Sequence, residues 1–379
     1  MPIDYETLRV IWWVLLGILL IGFAIMDGFD LGVASLLPFL GKSDIERRII
    51  INSIGPTWEG NQVWFILGGG AIFAAWPMLY ALSFSGLYLA MLCLLLALIL
   101  RPVGFKYRSK LASHHWRNCW DWALFIGGFV PALLCGVAVG NVIQGVPFTI
   151  DDNLRVFYEG TFIQLLNPFA LLCGLLSVSM LVMHGACFLN IKTESSIQQR
   201  AIIAAKYFAI ITTFLFILGG IWVYFAIPGY DFINPMIHDG PSNPLMKKVA
   251  IVQGAWLFNY KTWPVLMLIP LIGVLMPLFV LTLADRYAKN AFLCSSLAIF
   301  SIIATVGVSM FPFILPSSLD ASASLTVWDS SSSQLTLFIM LVATVVFLPI
   351  VLLYTAWVYK VLSGKVTAAI IEESSDSVY

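Results

Sequence analysis

Acidic side chains interrupt two apolar stretches of this sequence. Residues 58–64 (WEGNQVW), which include Glu59, lie inside an apolar run from 49 to 76. One run earlier, Asp27 and Asp30 are three residues apart, a spacing that places both carboxylates on one face of a helix. A carboxylate at bilayer depth usually faces protein or a water-filled path, where it binds ions or protons. These residues therefore predict proton transfer within a membrane.

The depth of each acid follows from helix geometry. If Arg9 marks one membrane boundary, Asp27 lies about 27 Å along the helix at 1.5 Å per residue. Counted from Arg48 along a continuous helix, Glu59 lies roughly 16 Å deep, close to the middle of the bilayer. Acids at two depths in neighbouring spans predict successive stations on a proton path.

Two amides beside Glu59 extend this hypothesis. Asn61 and Gln62 could hold bridging water or orient the Glu59 carboxylate. In the alternative interpretation, the acids of the first run are interfacial and pair with Arg47 or Arg48. Glu59 would then be a structural ion-pair member, or a protonated acid hydrogen-bonded to Asn61. Both interpretations stay open at the level of the sequence.

Composition places these residues in a polytopic membrane protein. The chain has 379 residues, of which 60% are hydrophobic and 11% charged, whereas a soluble domain carries roughly 25% charged residues. A net charge of +0 gives no basis for nucleic-acid binding. The six cysteines form no Cys-x-x-Cys pair, so we interpret them as small core residues rather than as metal ligands.

Nine apolar runs are long enough to be transmembrane helices, since a span needs about 20 apolar residues. They lie near 10–37, 49–75, 78–100, 122–146, 162–190, 203–226, 263–284, 291–315 and 335–359. The first two are long enough to be tilted, broken or extended beyond the bilayer. Lysine and arginine concentrate in alternate loops, as the positive-inside rule requires of a cytoplasmic face. The sequence therefore predicts an all-α integral membrane protein with its N-terminus outside and its C-terminus in the cytoplasm.

Histidine content bears on whether this chain binds haem. Of the four histidines, only His184 falls within a predicted span, so one chain cannot supply a bis-histidine haem site. Met180 or Met183 could complete a His/Met pair, but their spacing gives no support for it, and a core role is predicted for His184. No metal cluster, nucleotide loop or nucleophile elbow is present in the sequence. Read alone, the chain is predicted to lack a redox centre.

Motifs along the whole chain resemble subunit II of the cytochrome bd quinol oxidases. The matching segments are 8–13 (LRVIWW), 27–30 (DGFD), 46–49 (ERRI), 58–64 (WEGNQVW), 73–77 (FAAWP), 101–103 (RPV), 165–169 (LLNPF), 311–313 (FPF), 316–318 (PSS), 328–330 (WDS) and 333–337 (SQLTL). Any one segment is a weak signal, whereas their combination is highly specific.

This resemblance implies a fold and an assembly. Residues 1–379 would form one membrane domain, with a first four-helix bundle at roughly 8–146, a second at roughly 162–315 and an extra helix at roughly 335–359. The partner would be subunit I, which in this family binds two haems b and one haem d and carries the quinol-oxidising loop. A small single-span accessory subunit, lipid and a structural quinone within subunit II are further candidate partners. The location would be the bacterial inner membrane.

The resemblance also implies a role for the acids. Subunit II of the family is thought to contribute a proton route from the cytoplasm toward the dioxygen-reducing haem, and Asp27, Asp30 and Glu59 fall on that route by motif position. The supporting residues would be Trp58, Asn61, Gln62, Trp64 and Arg101, the last of which could anchor a loop or neutralise a nearby acid. Glu59 stands where the best-known members have Asp, which moves the carboxyl by about 1.5 Å.

Two other classes of function compete with an oxidase subunit. A proton-coupled transporter also needs buried acids and many spans, but it should show interrupted helices in matched halves, and the sequence has no matched pair. A structural scaffold would use the acids only as partners of bases. The predicted function is therefore that of a non-haem subunit of a ubiquinol:dioxygen oxidoreductase, and the transporter is the alternative.

Overall fold

The structure, a computed structural model, describes residues 3–373 and is almost entirely helical, which confirms the predicted all-α class. Its helices in chain order are α1 (Tyr5–Leu40), α2 (Asp44–Ile54), α3 (Trp58–Ala75), α4 (Pro77–Gly86), α5 (Tyr88–Tyr107), α6 (His114–Gln144), α7 (Pro168–Lys192), α8 (Ser195–Ala226), α9 (Phe258–Thr262), α10 (Leu268–Leu283), α11 (Ala288–Met310), α12 (Gln334–Val361) and α13 (Ala368–Glu373).

Eight segments of the described chain are long and apolar enough to cross a membrane: α1, α5 extended to Lys110, α6, α7, α8, α10 extended from Pro264, α11 and α12. The second predicted run, 49–75, is not one continuous helix. It divides into α2 and α3 at a turn over residues 55–57. Pro56 explains the break, because proline lacks an amide hydrogen and its ring clashes with the carbonyl four residues earlier.

Helix contacts join the long helices into one continuous assembly. α1 packs on α3 and α6, and α5 packs on α6, while α7 packs on α8 and α11, and α10 packs on both of these. α7 also packs closely on α1 and α6. α12 contacts α1 and α3. Within the described length of α12, Leu337 is the single buried residue.

Close approach of α1 and α7 holds the centre of the molecule together. A Cβ atom added to Gly32 would overlap the main-chain carbonyl of Leu181, and one added to Gly185 would lie 2.6 Å from the main-chain nitrogen of Val33. Small residues let helix backbones approach where no hydrophobic force drives them together in lipid. These two glycines therefore fix how α1 lies against α7.

The two ends of the bundle differ in character. One end, here called the basic face, carries the α1–α2, α5–α6, α7–α8 and α10–α11 connections together with α13. The opposite end, here called the hairpin face, carries three two-stranded antiparallel sheets. Their strands are β1 (Phe148–Ile150) with β2 (Val156–Tyr158), β3 (Pro228–Phe232) with β4 (Val249–Gln253), and β5 (Phe313–Leu315) with β6 (Leu325–Thr326).

Candidate functional site

A buried ion pair joins α1 to α5. Arg101 Nη1 donates to Asp27 Oδ2 at 3.1 Å, and Arg101 Nη2 donates to Asp27 Oδ1 at 2.8 Å. The two side chains are only 0% and 1% exposed. Two parallel bonds of this kind are stronger and more directional than neutral hydrogen bonds. The pair thus gives Asp27 a fixed counter-charge inside the bundle.

Asp30 is buried on the same helix but lacks such a counter-charge. Its Oδ2 accepts a hydrogen bond from Asn61 Nδ2 at 2.7 Å, and Asn61 Oδ1 in turn accepts one from the Tyr359 hydroxyl at 2.7 Å. α1, α3 and α12 therefore meet through one line of polar atoms. We refer to Asp27, Asp30, Asn61, Arg101 and Tyr359 as the carboxylate cluster.

Three polar atoms in and beside the carboxylate cluster lack a hydrogen-bond partner among the described residues. They are Asp30 Oδ1, Arg101 Nε and Trp58 Nε1, and all three are buried. The Trp58 ring lies over the guanidinium, with its centroid 5.8 Å from Arg101 Cζ. Because buried polar groups in proteins are nearly always satisfied, these atoms indicate a place for water or for a polar group of a neighbouring chain.

The remaining residues of the 58–64 motif differ in how deeply they are buried. Trp64 is buried against Gly22 of α1, and Gln62 is half-buried. Glu59 is exposed on the surface of the bundle. Two expectations from the sequence are therefore corrected: Asn61 orients Asp30 rather than Glu59, and the turn at Pro56 invalidates a depth for Glu59 counted along one continuous helix.

The arginines near the first two spans have other partners than the sequence suggested. Arg47 donates to Asp121 Oδ2 at 2.7 Å, and Arg108 donates to Asp121 Oδ1 at 2.5 Å. Arg108 also bonds Asp44 at 3.0 Å, as does Arg117 at 2.7 Å. Asp27 and Asp30 are thus not interfacial partners of Arg47. Asp121 was missed because it stands at the start of an apolar run and resembles an ordinary helix-end acid.

Glu46 on α2 forms a salt bridge with Arg200, which lies in the first turns of α8 at the basic face. Burial acts to raise the pKa of Glu46, but hydrogen bonds from Arg200, the Lys42 amide and Ser196 outweigh it and lower the pKa to about 2. The Arg200 Nη2 to Glu46 Oε1 distance is 2.5 Å. Glu46 therefore stays ionised and fastens α2 to α8 over the whole physiological pH range.

His184 lies in the core between α1, α7 and α11. Its Nδ1 is 2.7 Å from Ser295 Oγ, its Nε2 is 3.0 Å from the Ile25 carbonyl, and its ring stacks on Phe292 at 4.5 Å. Both imidazole nitrogens are thus engaged by protein atoms. This arrangement does not fit an axial haem ligand, because neither imidazole nitrogen is left to bind iron.

A second buried polar cluster lies at the hairpin face. Arg9, which the depth estimate placed at a membrane boundary, is 0% exposed and donates to Ser331 Oγ at 2.8 Å and to the His238 carbonyl at 2.5 Å. Lys247 Nζ lies 2.7 Å from Asp329 Oδ2. Burial lowers the pKa of Lys247, although Asp329 acts in the opposite direction. The Arg9 bonds fasten the hairpin-face loops to α1, and the Lys247–Asp329 pair joins two of these loops to each other.

The fold and the site define the chain as a polytopic helical membrane protein with a buried, incompletely satisfied carboxylate cluster. Comparison with known proteins makes the class specific. The family model of cytochrome bd terminal oxidase subunit II matches residues 8–362. The chain therefore belongs to the cytochrome bd terminal oxidase subunit II family.

Individual relatives agree with this assignment. Cytochrome bd-I ubiquinol oxidase subunit 2 of Escherichia coli strain K12 is 53% identical over 378 residues, covering 100% of both chains. Cytochrome bd ubiquinol oxidase subunit 2 of Bacillus subtilis is 30% identical over 362 residues, covering 95% of this chain and 97% of its own. A chain of the bd oxidase of Geobacillus thermodenitrificans has a TM-score of 0.68 at 16% identity, covering 94% and 98%, and so shares the fold.

Proposed function

We propose that this chain conducts protons from the basic face into a cytochrome bd complex through its carboxylate cluster. Family membership makes it a subunit of a haem-containing terminal oxidase of aerobic respiration, with quinol oxidase activity in the complex and a subunit I partner. The observation that carries the proposal is the charge balance of the cluster: two buried carboxylates share one buried guanidinium.

Asp30 is the carboxyl that carries the transferred proton in this proposal. Arg101 compensates Asp27 through two hydrogen bonds, whereas Asp30 has one amide donor and one unpartnered oxygen. An uncompensated buried charge is expensive, which favours exchange of a proton at that site. Water bound at Asp30 Oδ1 would connect it to the next station.

Glu59 lies where a neighbouring subunit would cover it. On α3 it begins a stripe of exposed positions at helical spacing that continues through Val63, Ile66 and Phe73. An apolar stripe with one acid at its end suits an intramembrane protein interface rather than lipid. In the proposal, Glu59 receives protons at the boundary with subunit I, and Gln62 lines the approach.

The haems b and d are assigned to subunit I. His184, the buried histidine of the described spans, has both ring nitrogens engaged, which supports that division. A reduced-minus-oxidised spectrum of the complex and of this chain alone tests it. We expect haem bands in the complex and none in the lone chain; haem in the lone chain would contradict it.

Orientation follows from the positive-inside rule. The basic face would be cytoplasmic, with the N-terminus outside and the C-terminus inside. Quinol would then release protons outside, while protons for water formation enter from the cytoplasm, so charge separation needs no pump. Reactivity of an introduced cysteine at the exposed Lys365 toward an impermeant thiol reagent tests this: labelling only in inside-out vesicles is expected, and labelling of intact spheroplasts would refute it.

A cleft at the hairpin face is the candidate seat for a structural quinone. It has a volume of about 580 Å³, an apolar wall from Met78, Ala81 and Leu82 of α4, and a polar end that includes Ser331. An apolar wall with a few polar groups suits an amphipathic ring. Ala81→Trp should lower quinone co-purifying with the complex; an unchanged quinone content would exclude this seat. A small accessory subunit remains a candidate partner at the lipid-facing helices.

Two substitutions test the proton route in the assembled complex. Asp30→Asn and Glu59→Gln should each lower quinol oxidase turnover by tenfold or more while haem content stays normal, because neither amide can carry the proton. The matched control is Asp285→Asn, since Asp285 is an exposed acid paired with Lys206 at 2.5 Å. Unchanged turnover in Asp30→Asn would overturn the route through the cluster.

A further inference from the structure

α12 is loosely attached to the bundle along most of its length. Its side chains from Val342 to Leu353 are largely exposed, as expected of a helix that faces lipid or another subunit. Near its basic end the pattern changes, because Tyr359 is half-buried and its ring lies 6.4 Å from that of Phe29, in an edge-to-face arrangement. Tyr359 is therefore the point where α12 enters the carboxylate cluster.

The chain after Tyr359 holds that point in place. Lys192 Nζ donates to the Leu362 carbonyl at 2.6 Å, and the Val366 amide donates to the Lys192 carbonyl at 2.8 Å. Ile371 of α13 is 0% exposed and belongs to the hydrophobic core. The end of α12 is thus fastened across the basic face, so Tyr359 has a defined position relative to α3.

Tyr359 holds the Asn61 amide in place together with Asp30. The phenolic hydroxyl donates to Asn61 Oδ1, which leaves Asn61 Nδ2 to donate to Asp30 Oδ2. With the amide reversed, the tyrosine hydroxyl could accept from it, but the amide oxygen would face a carboxylate oxygen, and both are acceptors. The reversed amide is acceptable only when Asp30 is protonated and can donate. While Asp30 is ionised, the tyrosine bond satisfies the amide oxygen and so supports the arrangement that stabilises the carboxylate.

We propose that Tyr359 is a positioning residue that, through Asn61, sets how readily Asp30 takes up and releases a proton. The proposal rests on the proposed proton route. An amide does not pass a proton along as water does, so Tyr359 is not itself a station. It acts by holding the Asn61 amide in the orientation in which Nδ2 donates to Asp30.

Other titratable and charged groups on the helices around Asp30 have separate roles. Asp27 on α1 and Arg101 on α5 form their own pair, and the α2 base Arg47 is paired with Asp121 of α6. Further titratable groups on the packed helices include Cys135 on α6, His184 on α7, and Glu59, which is exposed on α3. Among the described residues, Asn61 is the hydrogen-bond donor to Asp30, so its orientation is the property that a Tyr359 variant changes.

The test is the pH profile of quinol oxidase turnover in the assembled complex. Tyr359→Phe removes the hydroxyl and keeps the ring packed on Phe29. Losing a dependable donor favours protonated Asp30, so the alkaline fall in turnover should move to higher pH by about one unit, a tenfold change in proton affinity. The matched control is Tyr354→Phe, since Tyr354 lies on the same helix and is 63% exposed.

Two further variants keep the test decisive. Asn61→Leu removes the intermediate group and should shift the profile in the same direction, which answers the case in which Tyr359→Phe does not assemble. In an Asp30→Asn background, Tyr359→Phe should produce no additional shift, because the two residues act in series. A shift that persists without the Asp30 carboxyl would overturn the role of Tyr359.

The outcomes separate this inference from the proposed function. If Asp30→Asn lowers turnover but neither Tyr359→Phe nor Asn61→Leu moves the profile, the route stands and the positioning role is refuted. If Asp30→Asn leaves turnover unchanged, the proton route itself fails. Normal haem content in each variant, read from the reduced-minus-oxidised spectrum, shows that the comparison is made on assembled complexes.

Discussion

The Arg101–Asp27 pair allows stability and proton transfer to be separated by experiment. Replacing Asp27 with Leu leaves a fully buried guanidinium without the carboxylate that accepts both of its hydrogen bonds. Breaking a buried pair in this way typically costs about 3–5 kcal/mol, or roughly a factor of 10² to 10³·⁵ in the folded population. The double substitution Asp27→Leu with Arg101→Met removes both charges and should recover most of that loss, since an apolar replacement of a buried pair is often neutral.

The assay is reversible unfolding of the complex in mixed micelles, followed by loss of tryptophan fluorescence and of haem absorbance. The exposed Lys206–Asp285 pair gives the reference, since pairs of this kind contribute about 0–1 kcal/mol. Turnover should remain low in the double variant despite its recovered stability, because both charges of the pair are missing from the cluster. If Asp27→Leu is no more costly than Asp285→Leu, the pair is not the desolvated one described here.

Two further predictions concern packing and pH. Gly185→Ala should destabilise the complex by about 1–3 kcal/mol, because the added methyl group meets the α1 backbone. Gly220→Ala is the control and should not destabilise it, because Gly220 has open space around it. Equal effects of the two substitutions in denaturant titration would contradict the close approach of α1 and α7. The lowered pKa of Glu46 means that its contribution to stability is complete above its ordinary value near 4.5 and is lost as pH falls toward 2. Glu46→Gln should flatten the stability–pH curve in that window, and a curve unchanged from that of the native complex would rule out the Glu46–Arg200 contact.

Sequence patterns predicted the helical class and most of the spans because long apolar runs have few alternatives in a membrane. The run 49–75 was predicted as one span because its hydrophobicity is continuous across residues 55–57. The helix nevertheless ends there, because of the backbone restriction of Pro56. Hydropathy does not register that restriction. The predicted depth of Glu59 assumed a continuous helix and was therefore wrong, as was the prediction that Asn61 orients Glu59.

The composition of the carboxylate cluster was only partly predictable. The spacing of Asp27 and Asp30 correctly indicated a shared buried side of α1, and Arg101 was recognised as a candidate neutraliser. The actual pairings depend on which helices meet, and the sequence separations are large: 74 residues from Asp27 to Arg101 and 298 from Asn61 to Tyr359. Tyr359 gave no signal because a tyrosine near the end of a span resembles an interfacial anchor.

The most direct test of the account is proton uptake during turnover of the complex reconstituted in liposomes, with Asp30→Asn compared with the native chain. Haem bands serve as the measure of intact assembly. We expect Asp30→Asn to retain its haems, to lose uptake of protons from the side of the basic face, and to generate little membrane potential. Proton uptake and membrane potential equal to those of the native complex would contradict a route through the carboxylate cluster.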